Sequence, residues 1–176
     1  MVKKVFLNYN LNKFLAADYT VHSGTSVHHV NEENKDIFKK HGISSLPSTY
    51  VDSNTQMHQV WWEDNSIKAE LSNIMKLDVQ TVSSIKQNPG NTIPIHRDQF
   101  FKIYKDNPSE KRKMVRVNIF LEDWKTGHFL QYNDTIVNKW KAGQGYMWDN
   151  TVEHLSCNAG LLPKYTLQIS GFLNGS

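Results

Sequence analysis

His96, Arg97 and Asp98 stand side by side in the chain, and a second histidine, His154, and a buried-type cation, Lys164, follow much further on. On a β-strand, residues i and i+2 share a face, so His96 and Asp98 can both reach one metal ion. His154, arriving from a distant strand, would complete two imidazoles and one carboxylate on one face of an octahedron. The remaining positions stay open, which is the arrangement of a non-haem Fe(II) oxygenase. A His-x-Asp pair alone arises by chance in many chains, and its weight here comes from its company. Such an oxygenase needs a co-substrate that supplies electrons, and 2-oxoglutarate does so while chelating iron through its keto oxygen and adjacent carboxylate. Its far carboxylate then needs a cation and a hydroxyl. Lys164 and Thr166 share one face of the last strand, and a lysine there makes a point-charge contact. The plain alternative is an edge-strand lysine that blunts aggregation, but the strongly apolar run around Lys164 argues against it.

The elements that must position these residues change character along the chain. Residues 1–78 are mixed. EENKDIFKKHG reads as a short helix stopped by Gly42, and NSIKAELSNIMKLD as a second helix capped by Asn65 or Ser66, with Ile67, Leu71, Ile74 and Met75 on one face. The stretch between them carries turn residues and one or two strands. From Val79 onward, short β-type runs alternate with turns: VQTVSSIKQ, TIPIHRD, MVRVNIFLED, HFLQYND, IVNKWKAGQ, GYMWDN, VEHLSCNA and KYTLQISGFL. This predicts a mainly β fold, a double-stranded β-helix or jelly roll of the cupin type. The N-terminal helices would pack outside it. The expected organisation is one domain over 1–176, with 1–78 as support and 79–172 as the jelly-roll core holding the metal site. Ligands far apart in sequence then meet at one barrel mouth.

Composition narrows the function classes. The chain has 176 residues, 39% hydrophobic and 21% charged, with a net charge of +3, which fits a soluble globular domain. No run is long and apolar enough for a membrane span, and the basic N-terminus is broken by Asn8, Asn10, Asn12 and Lys13, unlike a signal peptide. The dense basic run Lys111-Arg112-Lys113 sits in a polar segment, so nucleic acid is not an expected partner. The one cysteine, Cys157, suits a reducing cytoplasm and is expected to be a packing residue rather than a ligand. Among the eight histidines, His28-His29 is expected in a loop or on the substrate side, and His22, His41 and His58 have no partner at ligand spacing.

With these residues in place, the segment from about 79 to 172 resembles the aspartyl/asparaginyl β-hydroxylase branch of the 2-oxoglutarate/Fe(II) dioxygenases. NPGNTIPIHRD is similar to that branch's proline-glycine turn before the first metal histidine, and AGQGYMWDNTVEH to its glycine turn, apolar strand and second metal histidine. MVRVNIFLED resembles the strand whose arginine and polar residue hold 2-oxoglutarate, positions occupied here by Arg116 and Asn118. The resemblance implies hydroxylation of an unactivated C–H bond of an amino-acid, peptidyl or other small substrate by molecular oxygen, with release of succinate and CO2. It implies Fe(2+) on His96, Asp98 and His154, and 2-oxoglutarate on Lys164, Thr166, Arg116 and Asn118. Trp148 and Trp124 are candidate pocket walls, Trp61-Trp62 a candidate cover, and the polar loop from Gln99 to Lys113 a candidate lid. The rival reading is a cupin-like metal- or small-molecule-binding protein without oxygenase turnover. It would have no use for the cation and hydroxyl on the last strand.

Overall fold

The computed structural model describes residues 1–22 and 27–174. Two sheets face each other. The larger is built from β1 (Val2–Phe6), β2 (Thr20–His22), β3 (Met57–Trp61), β4 (Leu77–Gln87), β6 (Met114–Phe120), β9 (Gln144–Trp148) and β11 (Lys164–Leu173), in the order β1-β9-β6-β11-β4-β3-β2. The smaller holds β5 (Thr92–His96), β7 (His128–Tyr132), β8 (Thr135–Val137) and β10 (His154–Asn158), in the order β5-β10-β7-β8. Every pairing is antiparallel. From β4 onward the chain crosses between sheets so that β4, β6, β9 and β11 lie in one and β5, β7, β8 and β10 in the other. That alternation is a double-stranded β-helix, as the spacing of the short strands predicts.

The strands at the centre of the larger sheet are buried on both faces. Leu167 and Ile169 of β11, Val117 and Ile119 of β6 and Val79 and Val82 of β4 join a core with Ile67 and Leu71 of helix α5 (Asn65–Met75). The opposite faces of the same strands carry Lys164, Thr166, Gln168 and Ser170, or Arg116 and Asn118, into the barrel. The period of two thus separates an oily outer layer from a polar interior. The side chain of Asp64, not Asn65 or Ser66, caps α5 by accepting from the Ser66 N–H at 2.7 Å. Ile74 is exposed rather than part of the buried face.

The N-terminal region contributes more than an outer cover. Its helices α1 (Asn12–Leu15), α2 (Val27–Glu33), α3 (Lys35–Lys40) and α4 (Ser48–Asn54) lie outside the barrel, but β1, β2 and β3 extend both edges of the larger sheet. His28 and His29 fall in α2, not in a loop. The segment expected to be a polar lid, 99–113, holds helix α6 (Phe101–Asp106), and Phe100, Ile103, Met114 and Phe172 form a small core beneath it.

Candidate metal centre

A tight turn leads into the strand that carries His96. In Asn88-Pro89-Gly90-Asn91, proline presets the first corner and Gly90 takes the second at φ 85, while Asn91 N–H donates to Asn88 O at 3.0 Å. This turn reverses β4 into β5, whose last residue is His96. His96 lies opposite His154, the first residue of β10. Their rings sit 4.2 Å apart. Asp98 lies beyond the end of β5, so strand parity is not what aims it. Instead its Oδ1 accepts from Arg116 Nη2 at 3.1 Å and its Oδ2 from Trp148 Nε1 at 2.9 Å. The ligating atoms of His96, Asp98 and His154 all lie within 4.8 Å of one another.

The protonation pattern suits a cation. His96 Nδ1 donates to Pro94 O at 2.8 Å and His154 Nδ1 to Val152 O at 3.1 Å, because a carbonyl can only accept. With the Nδ1 proton committed to a carbonyl, a neutral imidazole in either place has its lone pair on Nε2, the tautomer that metal-binding histidines use. Burial pushes the His154 imidazole down to about 3. Burial alone would raise the Asp98 carboxyl, but the Arg116 guanidinium holds it well below the usual carboxylate range. An unprotonated His154 Nε2 therefore faces an ionised Asp98 Oδ2 across 3.6 Å. Two lone pairs repel there unless a cation lies between them, and the gap is within reach of two metal–ligand bonds of about 2.0–2.2 Å each. The donor set fits Fe(II).

Lys164 lies in the same interior and is 2% exposed. Its Nζ donates to Phe129 O at 2.5 Å, Ser156 Oγ at 2.6 Å and Cys157 O at 3.4 Å. All three acceptors are neutral, and among the described residues no carboxylate pairs with it. Burial pushes its ammonium down to about 7. Ser156, which accepts from Lys164, also borders a cavity of about 20 Å³ lined by His96, His154, Asn118, Thr166 and Gln168 among others. It has room for about one water, so a dicarboxylate enters only as these side chains shift. Thr166 and Asn118 thus line the same cavity as His96 and His154. Arg116 does not. It pairs with Ser170 of β11, six positions past Lys164 and about 20 Å along the strand, and it serves Asp98 instead.

Sequence reading does not single out the outer support. Arg97, between two ligands, donates to Glu153, next to the third, at 2.7 Å, and to Asp36 of α3 at 2.9 Å. Glu153 is 6% exposed and also accepts from Lys40 at 2.9 Å and His41 at 3.2 Å. The alternation that turns ligands inward turns these neighbours outward, which is a usable signal; their partners on α3 leave none. Trp148 proves to be a hydrogen-bond donor to the site, whereas Trp124 and Trp62 bond His128 O and Ser84 Oγ and pack in the cores. Half-buried Cys157 lies on the opposite face of β10 from His154, and burial raises its thiol. A pocket of about 180 Å³ adjoins His96, walled by Val30, Asn34, Met57, Pro94 and Arg97 among others. No helix among the described residues is long and apolar enough to cross a membrane.

No family model and no curated protein matches the chain. Solved structures resemble it at low identity. A prolyl-4-hydroxylase from Pseudomonas putida is 14% identical, with 94% of this chain and 97% of that chain covered and a TM-score of 0.48. A predicted oxalate decarboxylase from Thermotoga maritima is also 14% identical, with 67% and 82% covered and a TM-score of 0.45. A cupin superfamily protein from Desulfitobacterium hafniense is 11% identical, with 69% and 81% covered and a TM-score of 0.41. Such likenesses concern fold and carry no reaction to this chain. By its own strand order, the protein is a mainly β, antiparallel double-stranded β-helix of the cupin type.

Proposed function

We propose that this protein is a 2-oxoglutarate- and Fe(II)-dependent dioxygenase that hydroxylates a C–H bond of an amino-acid, peptidyl or similar substrate. The observation that carries the reading is Lys164, a cation buried without a counter-charge in the interior that also holds two imidazoles and a carboxylate. An isolated buried charge is costly, and an anion arriving with the co-substrate would offset that cost. His96, Asp98 and His154 would hold the iron. Arg116 and Trp148 fix the Asp98 carboxylate, one on each oxygen. Lys164 and Thr166 would hold the far carboxylate of 2-oxoglutarate, with Asn118 along the way. When bound, the pair supplies oxygen activation coupled to oxidative decarboxylation of 2-oxoglutarate to succinate and CO2. The closed interior keeps bulk water from the reacting centre.

The test is succinate formation from 2-oxoglutarate with Fe(II) and oxygen, with Fe(II) binding measured separately. Lys164→Ala should raise the 2-oxoglutarate requirement at least about tenfold, the loss of about 1.4 kcal/mol that one charge-assisted hydrogen bond represents. Fe(II) affinity should persist. Metal binding with no succinate under any condition would return the protein to the class of binding cupins. If Arg116→Ala raises the requirement and Lys164→Ala does not, the cation is wrongly assigned.

A further inference from the structure

Several irregularities converge at Arg116, the residue that donates to Asp98. A cleft of about 570 Å³ opens there, lined by Trp61, Thr81, Phe100, Phe101, Arg116 and Ser170 among others, a size suited to a small-molecule or side-chain site. Trp61 is 49% exposed and Phe101 65% exposed, although both are large apolar groups. Phe100 has φ 54, in the left-handed region that a bulky side chain rarely adopts, and its ring covers the Arg116 guanidinium at 5.4 Å. Arg116 Nε is the one buried side-chain nitrogen or oxygen among the described residues without a hydrogen-bond partner. Buried donors are nearly always satisfied. This orphan belongs to the residue that holds Asp98.

We infer that this cleft is the recognition subsite for an aromatic residue of a peptide substrate, with a peptide carbonyl accepting from Arg116 Nε once Phe100 gives way. The inference rests on the dioxygenase reading for its location beside the metal, and on the cleft itself for its ligand. Charge favours a neutral ligand. Glu63 and Lys68 pair with each other at 3.2 Å, Arg116 is already matched by Asp98, and Asp106 adds a carboxylate to the lining, so the cleft disfavours an anion. Amide carbonyls are neutral acceptors, and the exposed rings of Trp61 and Phe101 offer apolar faces for a third ring. Extent favours a chain over a small molecule. Met57 lines the pocket at His96 and Trp61 lines this cleft. The two lie on one strand, about 13 Å apart. A ligand reaching both would be an extended segment of about four residues.

The test uses the full chain and two blocked peptides, acetyl-Gly-Gly-Phe-Gly-Gly-amide and its counterpart with Ala in place of Phe, titrated by NMR or calorimetry. The Phe peptide should bind at least about tenfold more tightly. Trp61→Ala and Phe101→Ala alter exposed side chains, and each should reduce that preference at least about threefold. Arg116→Lys retains the charge beside Asp98 but removes the Nε donor, and it should weaken both peptides. Absence of binding by either peptide, equal binding of the two, or a preference that survives both aromatic substitutions overturns the inference. Fe(II) binding followed in parallel keeps the two readings apart. A chain that prefers the Phe peptide but binds no iron has lost the dioxygenase reading alone. One that binds iron at His96, Asp98 and His154 without the preference has lost the subsite alone.

Discussion

The support of Asp98 makes two side chains outside the ligand set sensitive positions. Trp148→Phe keeps the ring against His154 but removes the donor to Asp98 Oδ2. Loss of such an outer partner should weaken metal binding about 10–100-fold, measurable by anaerobic Fe(II) or Mn(II) titration with the fold checked by circular dichroism. Asp98→Ala should be worse in two respects. It removes a ligand and leaves Arg116 facing the interior uncompensated, so the metal-free protein should lose roughly 1–3 kcal/mol in urea unfolding. An unchanged metal affinity in either variant would remove that residue from the site. That His96, Asp98 and His154 would lie together was legible in the sequence, because their residue types and spacing were on the page, and the fold brings their side chains within 4.8 Å. Arg116's partner was not, because a cation announces its charge but not which anion the fold will bring to it. Trp148 read only as a pocket wall for the same reason, since an indole N–H finds its acceptor through tertiary packing.

The ligand-bearing segments are clamped from behind by helix α3. Arg97 and Glu153 join the end of β5 to the start of β10 at 2.7 Å, while Asp36, Lys40 and His41 tie that pair to the helix. Burial alone would raise the Glu153 carboxyl, but Lys40, Arg97 and His41 bring it down to about 2 from an ordinary 4.5. A depressed carboxyl contributes stability that is present above the unfolded value and lost as pH falls through the folded one. Acid unfolding should therefore steepen between about pH 4.5 and 2. Glu153→Gln should flatten that limb and weaken metal binding as the two segments loosen. An acid limb identical to the parent's would show that the clamp contributes nothing. Strands β4 to β7 and β9 to β11 were legible because each has a long β-type run between strong turns. The helix inside 99–113 was hidden because its polar flank, DNPSEKRK, dominates the local composition, while the residues that hold it, Met114 and Phe172, come from strands outside the segment. The β1 strand was similarly hidden, since only β9 gives it a sheet to join.

Taken whole, the molecule is two sheets closed around a polar axis, and the alternation of strands between them was readable from turn spacing alone. Edge strands were not, because the sequence does not say that an N-terminal segment will extend a sheet already complete at its centre. The axis has a thermodynamic consequence through Lys164. An ammonium brought from 10.5 to about 7 by burial sheds part of its proton population above neutrality in the folded state, while the unfolded chain keeps it. Stability from this group should therefore rise with pH between about 7 and 10.5. On the proposed function, an arriving dicarboxylate would reverse the effect by favouring the charged form, so binding at pH 8 should draw a fraction of a proton from the medium. Calorimetric heats for 2-oxoglutarate or succinate should then differ between Tris and phosphate in proportion to the buffers' ionisation enthalpies. In Lys164→Met they should not differ by this proton. Equal heats in both buffers for the parent chain would mean that Lys164 stays fully charged without its ligand. If the heats do differ, co-substrate capture becomes an acid–base event as well as a docking event, and alkaline conditions that favour the empty fold oppose its filling.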